Sequence, residues 1–399
     1  MSAHAGRGSL LGWTALLAVA LALPWLAGLV PGAVEQFYAG WLFPRIAAFL
    51  AWGTRRFSSS VAEFLLLVLA GIAAVRLLRA VDGRLRRAAL QEAPRVRGAS
   101  WLQRLTGLIR FAALAALAFH LLWGLNYART PLRERLGWSE PLRDAAALAD
   151  VVRRLAVEAN ASYREAIVEA EIDSARFVGP DSIPTAVGSR CSLPRTVIAQ
   201  ELAQAHARIT PSIAAIDFAP PRFPPLASSW MTRAGIGGIY IPFTGEPHVN
   251  REPPDAALPF TMAHEMAHQR GVAPEDEANF IAWLACRGAG SPAIRYSAAL
   301  HAYGSALRAY HRVAPDSAVA LSRRALDRGP RADRRAIRDF WDRHEGATAE
   351  VASRLNDAYL KTNAQTAGIE SYGLMVDLLL ACAQSGRWET IALPVGPSE

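Results

Sequence analysis

Hydrophobic and polar positions divide the chain into an apolar first third and a periodic remainder. No charged residue falls between Gly8 and Val34. The run LLGWTALLAVALALPWLAGLV at its centre is long enough to cross a bilayer core at about 1.5 Å per residue. Two further apolar runs lie downstream, Phe57 to Val75 with Glu63 near its start, and Phe111 to Ala128 with His120 inside it. Together they predict three membrane-spanning helices, at about residues 10–30, 57–75 and 111–128. A fourth apolar segment, Tyr38 to Trp52, carries Pro44 and Arg45 at its midpoint. An arginine there costs roughly 2.5–3.5 kcal/mol in a bilayer centre, so this segment reads as an interfacial helix with aromatic anchors.

Beyond Arg129 the pattern becomes helical. EPLRDAAALADVVRRLAVEANASYREAIVEAE and PRTVIAQELAQAHARI place apolar residues at three-four spacing with charges between them. Between Phe218 and Asn250 prolines, glycines and β-formers interrupt that pattern. GIYIPF is the expected strand, with a turn at Thr244-Gly245, and Pro242 suits an edge position. Helices resume near Pro254 and run to about Ala383. The expected fold is mainly α: a membrane part over residues 1–128, then a mostly helical domain with a small β element over residues 129–399.

Charge orients this arrangement. The loop 76–110 holds nine arginines against Asp82 and Glu92, whereas the loop between the first two spans has only Arg45, Arg55 and Arg56. The positive-inside rule makes the nine-arginine loop cytoplasmic. The expectation is a multi-pass protein of the bacterial inner (cytoplasmic) membrane, with its C-terminal domain extracytoplasmic, on the periplasmic side. A cleaved signal peptide is the alternative reading of the first run, and it leaves the topology of the rest unchanged. The net charge of +8 comes from residues 1–126, with 13 arginines and 4 acids; the other 273 residues carry 30 basic and 31 acidic groups. Basicity therefore serves orientation, and no nucleic-acid partner is expected. Cys191, Cys286 and Cys382 lack metal spacing and read as buried thiols, with one disulfide as the alternative.

Candidate chemistry sits in TMAHEMAHQRG. On an α-helix His264 and His268 lie about 40° apart on one face, with Glu265 flanking it. Two neutral imidazoles at that spacing grip one zinc ion, and the glutamate reaches a water in an open position. Met262, Ala263, Met266 and Ala267 ask for burial, so paired histidines there need a polar reason. A helix with two surface histidines is the plain alternative. Pro259 suits the first turn of this helix and Gly271 its C-terminal cap. Downstream, Pro274 opens a second helix on which Glu275, Ala278 and Asn279 share a face. Glu277 points about 200° away from Glu275, so one of the two at most is the third ligand, and Glu275 is preferred. Asn279 is placed to hold the far nitrogen of a histidine. Either glutamate could instead be a first-turn acid favouring the helix dipole.

HExxH followed by Glu-x-x-Ala-Asn resembles the gluzincin class of metallopeptidases, at a separation of six residues that is shorter than in that class. The resemblance implies His264, His268 and Glu275 as ligands of one Zn2+ per chain and Glu265 as general base. Over nearly the whole chain, WGLNYARTPL, GIYIPFTGEPHVN, HEMAHQRGVAPEDEANFIAWLAC and ESYGLMVDLLLA resemble a bacterial membrane family known as domain of unknown function 3810. That similarity implies membrane anchoring and a zincin-like outer domain, with no assigned substrate. The expected activity is hydrolysis of a peptide or protein substrate. Ile239 to Ile241 would pair with its backbone, and Glu246, His248 and Asn250 would lie near the cleft rim. Alternatively the hairpin is structural. The resemblance favours Tyr372 as an oxyanion-stabilising group, a core tyrosine being the alternative. His206, His301, His311 and His344 read as structural or surface groups. A non-catalytic sensor or scaffold remains open as a second class: zinc would then pin helices in a closed site, with His248 or Glu277 as fourth ligand.

Overall fold

Helices of apolar length form the membrane part of the computed structural model, which describes residues 2–89, 101–177, 193–363, 365 and 368–390. Three helices are long and apolar enough to cross a membrane: Ser9–Gly28, Val61–Asp82 and Trp101–Leu122. The first and third pack against each other along their lengths. The second span starts later than the apolar run, because Phe57 to Ser60 form the turn that leads into its cap. It continues past Val75, since Arg76 and Arg79 favour helix and their long stems reach toward water. The third span begins ten residues earlier than its hydropathy suggests and stops at Leu122. There the chain tightens into a buried turn, Gly124–Ala128. A side chain at Gly124 would sit 2.6 Å from His120 Nδ1 and 2.7 Å from Phe119 Cε1, so this close approach requires glycine.

The segment after the first span is not among the helices long and apolar enough to cross. A wide π-helical stretch, Val34–Leu42, runs into the helix Phe43–Thr54. Tyr38, Phe43, Ala47 and Ala51 are buried, while Phe37, Trp41, Phe49 and Trp52 face outward. Arg45 and Arg56 each lie 4.4 Å over a tryptophan of that outer face, Trp41 and Trp52. This combination of apolar, aromatic and arginine groups suits a helix lying in a membrane interface. Its inner face packs with Trp123, Tyr127 and Ala273 into a second, smaller core.

The main core is helical. The helix Ala145–Phe177 runs along Pro292–His311, the helices Leu258–Gln269 and Glu275–Arg287 pack beside them, and Met375–Gln384 closes the group. Trp283, Tyr303, Phe280, Leu155 and Met262 are fully buried between these elements. One sheet is present among the described residues. Its strands, β1 (Gly238–Ile241) and β2 (Glu246–Val249), are antiparallel and pair Ile239 with His248 and Tyr240 with Pro247. Gly245 closes the hairpin at φ +67°. The outer side of β2 exchanges backbone hydrogen bonds with Arg222, at 2.7 and 2.8 Å, which leaves β1 as the edge. A mainly α fold with a small β element is therefore observed. Cys286 and Cys382 are free and buried; Cys191 lies outside the described residues.

The hairpin is tied to the membrane part by a buried polar cluster. Glu246 is fully buried; its carboxylate accepts hydrogen bonds from the backbone of Val61 (3.1 Å) and Ala62 (2.9 Å), the first residues of the second span. Arg222 donates to the same carboxylate at 3.2 Å and to Thr54 O at 2.8 Å. Ser60 caps that span by accepting from the Glu63 N–H at 2.8 Å, and its hydroxyl lies 2.7 Å from His248 Nε2. Glu63 in turn accepts from Leu226 and Ala227, at the start of the helix Pro225–Arg233. Replacing Glu246 by Ala strands a buried guanidinium and two N–H groups, so a loss of about 3–5 kcal/mol is expected. Glu63→Ala removes only a partly exposed cap, worth about 1 kcal/mol. Thermal melting of the full chain in detergent should show the first substitution lowering the midpoint well beyond the second; equal midpoints would contradict this assignment of roles.

Candidate metal centre

The helix Leu258–Gln269 carries HExxH, and the turn beyond it decides whether its histidines gain a partner. Pro259 lies in the first turn. Gly271, at φ +79°, reverses the chain beyond the last turn. A Cβ at Gly271 would also lie 2.6 Å from Phe43 Cε1, so both the dihedral and the packing demand glycine. Extended backbone at Pro274 then starts the helix Glu275–Arg287, with Glu275 as its first residue. This tight return brings the Glu275 carboxylate over the two imidazoles.

Three ligand atoms converge. His264 Nε2 and His268 Nε2 are 3.0 Å apart, and Glu275 Oε2 lies 3.2 Å from the first and 3.4 Å from the second. A tetrahedral zinc ion with arms of about 2.0–2.1 Å holds neighbouring ligand atoms roughly 3.3 Å apart. The donor set and its spacing therefore fit such an ion. Among the described residues these three alone form a group able to hold a metal. Support behind them is also in place. His268 Nδ1 lies 2.7 Å from Val272 O, so a proton on Nδ1 donates to that carbonyl and leaves Nε2 free to ligate. Asn279 hydrogen-bonds His264, His206 Nε2 meets Ala263 O at 3.0 Å, and the Trp123 indole N–H donates to His268 O at 3.0 Å.

Burial and mutual proximity set the electrostatics. Burial pulls the His268 pKa down, but Glu275 outweighs it and the net value rises to about 9. Burial raises that of Glu275, yet His268 and His264 hold it well below the usual carboxylate range. His264 is lowered by burial and by His268 beside it, against the pull of Glu275 and Asn279. Glu275 and the two imidazoles therefore favour opposite charges on each other, and a divalent cation at the same place would compete with protons for the imidazole nitrogens.

Glu265 behaves differently from its buried neighbours. Its Oε2 is buried with no hydrogen-bond partner, and burial pushes its carboxyl up to about 8 despite some relief from His268. The carboxyl is pressed against the backbone at the start of β1. A Cβ on Gly238 would lie 2.6 Å from Glu265 Cγ and 2.8 Å from Cδ. The absence of a side chain at position 238 is what lets the glutamate and the strand share this space.

Other residues singled out from sequence are placed elsewhere. Glu277 turns away, accepting from the Leu132 N–H at 2.6 Å and from Arg135 at 3.1 Å. Glu246 and His248 belong to the cluster on the second span, and Asn250 donates to Thr232 Oγ1 and Ile236 O. They are framework, not rim. His301 stacks on Phe260 at 3.7 Å, His311 pairs with Asp316, and His344 meets Phe340 O. Tyr372 lies on the turn Gly368–Gly373, which packs against the Glu275 helix; its side chain is outside the described residues. A tyrosine not anticipated is Tyr359, on the helix Ala347–Thr362. It contacts Tyr127 and Phe119; the residue is 38 % exposed, but its surroundings raise the hydroxyl pKa, chiefly by partial burial, against the hydrogen bond with Tyr127 and with a small addition from the charge of Glu275. Nothing in NDAYLKT distinguishes it from an ordinary amphipathic helix.

Spans, hairpin and buried triad together define a mainly helical membrane protein with a three-residue group suited to a metal ion. The chain belongs to the family described as protein of unknown function (DUF3810), whose pattern matches residues 38–380. No curated protein and no solved structure matches it. If Gly238 exists to admit the Glu265 carboxyl, Gly238→Ala should cost about 1–3 kcal/mol through overpacking. A melting midpoint unchanged from wild type would show that the strand yields freely.

Proposed function

We propose that this protein is a membrane-anchored, zinc-dependent metallopeptidase that hydrolyses peptide bonds on the extracytoplasmic side of the bacterial cytoplasmic membrane. The observation that carries this reading is the convergence of three ligand atoms, from His264, His268 and Glu275, beside a buried and unpartnered Glu265 carboxyl oxygen. A scaffold site would call for a fourth protein ligand. Both candidates for it, His248 and Glu277, have other partners, which favours catalysis over scaffolding.

Zinc held by the triad would supply a Lewis acid that polarises the scissile carbonyl and acidifies water. Glu265 takes a proton from the attacking water as its oxygen bonds to the carbonyl carbon. The same carboxyl then delivers that proton to the amine nitrogen as the C–N bond breaks. Burial makes the Glu265 carboxylate a stronger proton acceptor than a solvated one, as a general base requires. The open edge of β1 offers backbone groups to an extended substrate, aligned beside Glu265 through Gly238. Tyr359 is a candidate for stabilising the developing oxyanion, alongside Tyr372. The arginine-rich loop between the second and third spans supports an extracytoplasmic site.

Elemental mass spectrometry of the full chain in detergent should find one zinc per chain, lost in His264→Ala and Glu275→Ala. Glu265→Gln should keep the metal and lower peptide cleavage by about 10²–10⁴-fold; undiminished cleavage would sink the mechanism. Tyr359→Phe should reduce kcat by about 10- to 1000-fold with KM little changed if its hydroxyl meets the oxyanion. A loss confined to Tyr372→Phe would assign that role to Tyr372 instead.

A further inference from the structure

Beside the metal centre runs a groove of about 910 Å³ that the proposed chemistry leaves unexplained. One wall is the HExxH helix at Phe260 and Thr261, one turn before the ligands, together with Gly235 and Gly237, which lead into β1. The opposite wall carries Arg308, Arg323, Arg331, Arg334, Arg335 and Arg338, and Asp342 is the single acid lining the space. Leu300, Ile337 and Trp341 give it apolar surface between these walls.

So many like charges on one face ordinarily attract carboxylates of the same chain. Here, among the described residues, Arg338 has a distant contact with Asp339 at 3.8 Å. Arg308 bonds Ser305, and Arg334 lies 5.0 Å over the Tyr303 ring. No carboxylate of the described residues forms an ion pair with Arg308, Arg323, Arg331, Arg334 or Arg335. General basicity does not account for the cluster, since residues beyond 126 carry 30 basic groups against 31 acidic ones. Positive charge is concentrated in this groove and balanced elsewhere. Burial is the main cause that lowers the pKa of both Arg308 and Arg334; neighbouring arginines add to it, against an opposing pull of Tyr303 on Arg334.

We infer that the groove binds an acidic segment of the polypeptide substrate, reading carboxylates through these arginines while the adjoining residues lie across the metal centre. The inference rests on the peptidase reading and adds the substrate class. Geometry supplies the link. A chain paired with β1 leaves the strand at its Gly238 end, where Gly237 and Gly235 already line the groove. Guanidinium groups match carboxylates in a planar, two-pronged fashion, and the apolar lining suits the aliphatic stems of glutamate.

The test uses the full chain in detergent carrying Glu265→Gln, so that binding is read without turnover. Its probes are a fluorescein-labelled peptide of alternating Glu and Ala and the corresponding Gln-Ala peptide, followed by fluorescence anisotropy. The acidic peptide should bind about tenfold more tightly at low salt. That preference should vanish in Arg323→Gln/Arg331→Gln/Arg335→Gln, three exposed positions, whose melting midpoint serves as the folding control. Equal binding of both peptides, or a preference that survives in the folded triple variant, would overturn the proposal. Arginine-dependent binding of dihexanoyl phosphatidylglycerol without binding of the acidic peptide would give the groove to lipid, and would overturn it as well. Selective acidic binding with no cleavage by the wild-type chain would uphold the groove and remove the hydrolytic reading. Cleavage of neutral and acidic peptides with equal KM would remove the groove alone.

Discussion

Taking a carboxylate out of water costs several kcal/mol unless charge and hydrogen bonds replace the solvent, and this fold does so four times around one centre. Glu246, Glu265, Glu275 and Glu277 are all buried. Glu246 is compensated by Arg222 and the first N–H groups of the second span, and Glu277 by Arg135 and a backbone N–H. Glu275 is compensated by two histidines. Of the four, Glu265 alone has a buried oxygen with neither a hydrogen bond nor an ion pair. The arrangement of helices around the centre is the arrangement that satisfies the other three, and it leaves one buried oxygen of Glu265 without a partner.

Membrane part and centre are joined through this compensation. The amphipathic helix Phe43–Thr54 sets Phe43 beneath Gly271 and Leu50 beneath Gly245, so both turns that frame the centre rest on it. Arg129 ties the same region from above. It pairs with Glu35 at 2.6 Å and donates to Gly271 O at 3.1 Å, while Arg135 bridges Glu35 and Glu277. Contacts of this kind cross the division at residue 128 in both directions.

Local spacing made part of this legible. The group formed by His264, His268 and Glu275 comes from a four-residue interval on one helix, a glycine that ends it, and a rotation of about 200° that separates Glu275 from Glu277. Strand β1 comes from β-formers beside a proline and a glycine turn. The three spans were visible in hydropathy, but their ends were not, because capping and tertiary turns set them. Glu246 and His248 looked like rim residues since their partners, Val61 and Ser60, lie 185 and 188 positions away. Tyr359 was hidden for the same reason: its approach to Glu275 is made by the packing of a helix whose own sequence has an ordinary amphipathic pattern.

The joint at Ser60, Glu246 and Arg222 has a consequence for biogenesis. A chain beginning at Arg129 would lack Phe43 and the Trp123 indole, and would hold Glu246 and Arg222 opposite no helix end. Residues 129–399 thus share buried contacts with the part of the chain that precedes them. Glu246 of the hairpin and Arg222 beside it close on the first N–H groups of the second span and on Thr54 O; because the chain is made from its N-terminus, that surface precedes the residues that pack on it.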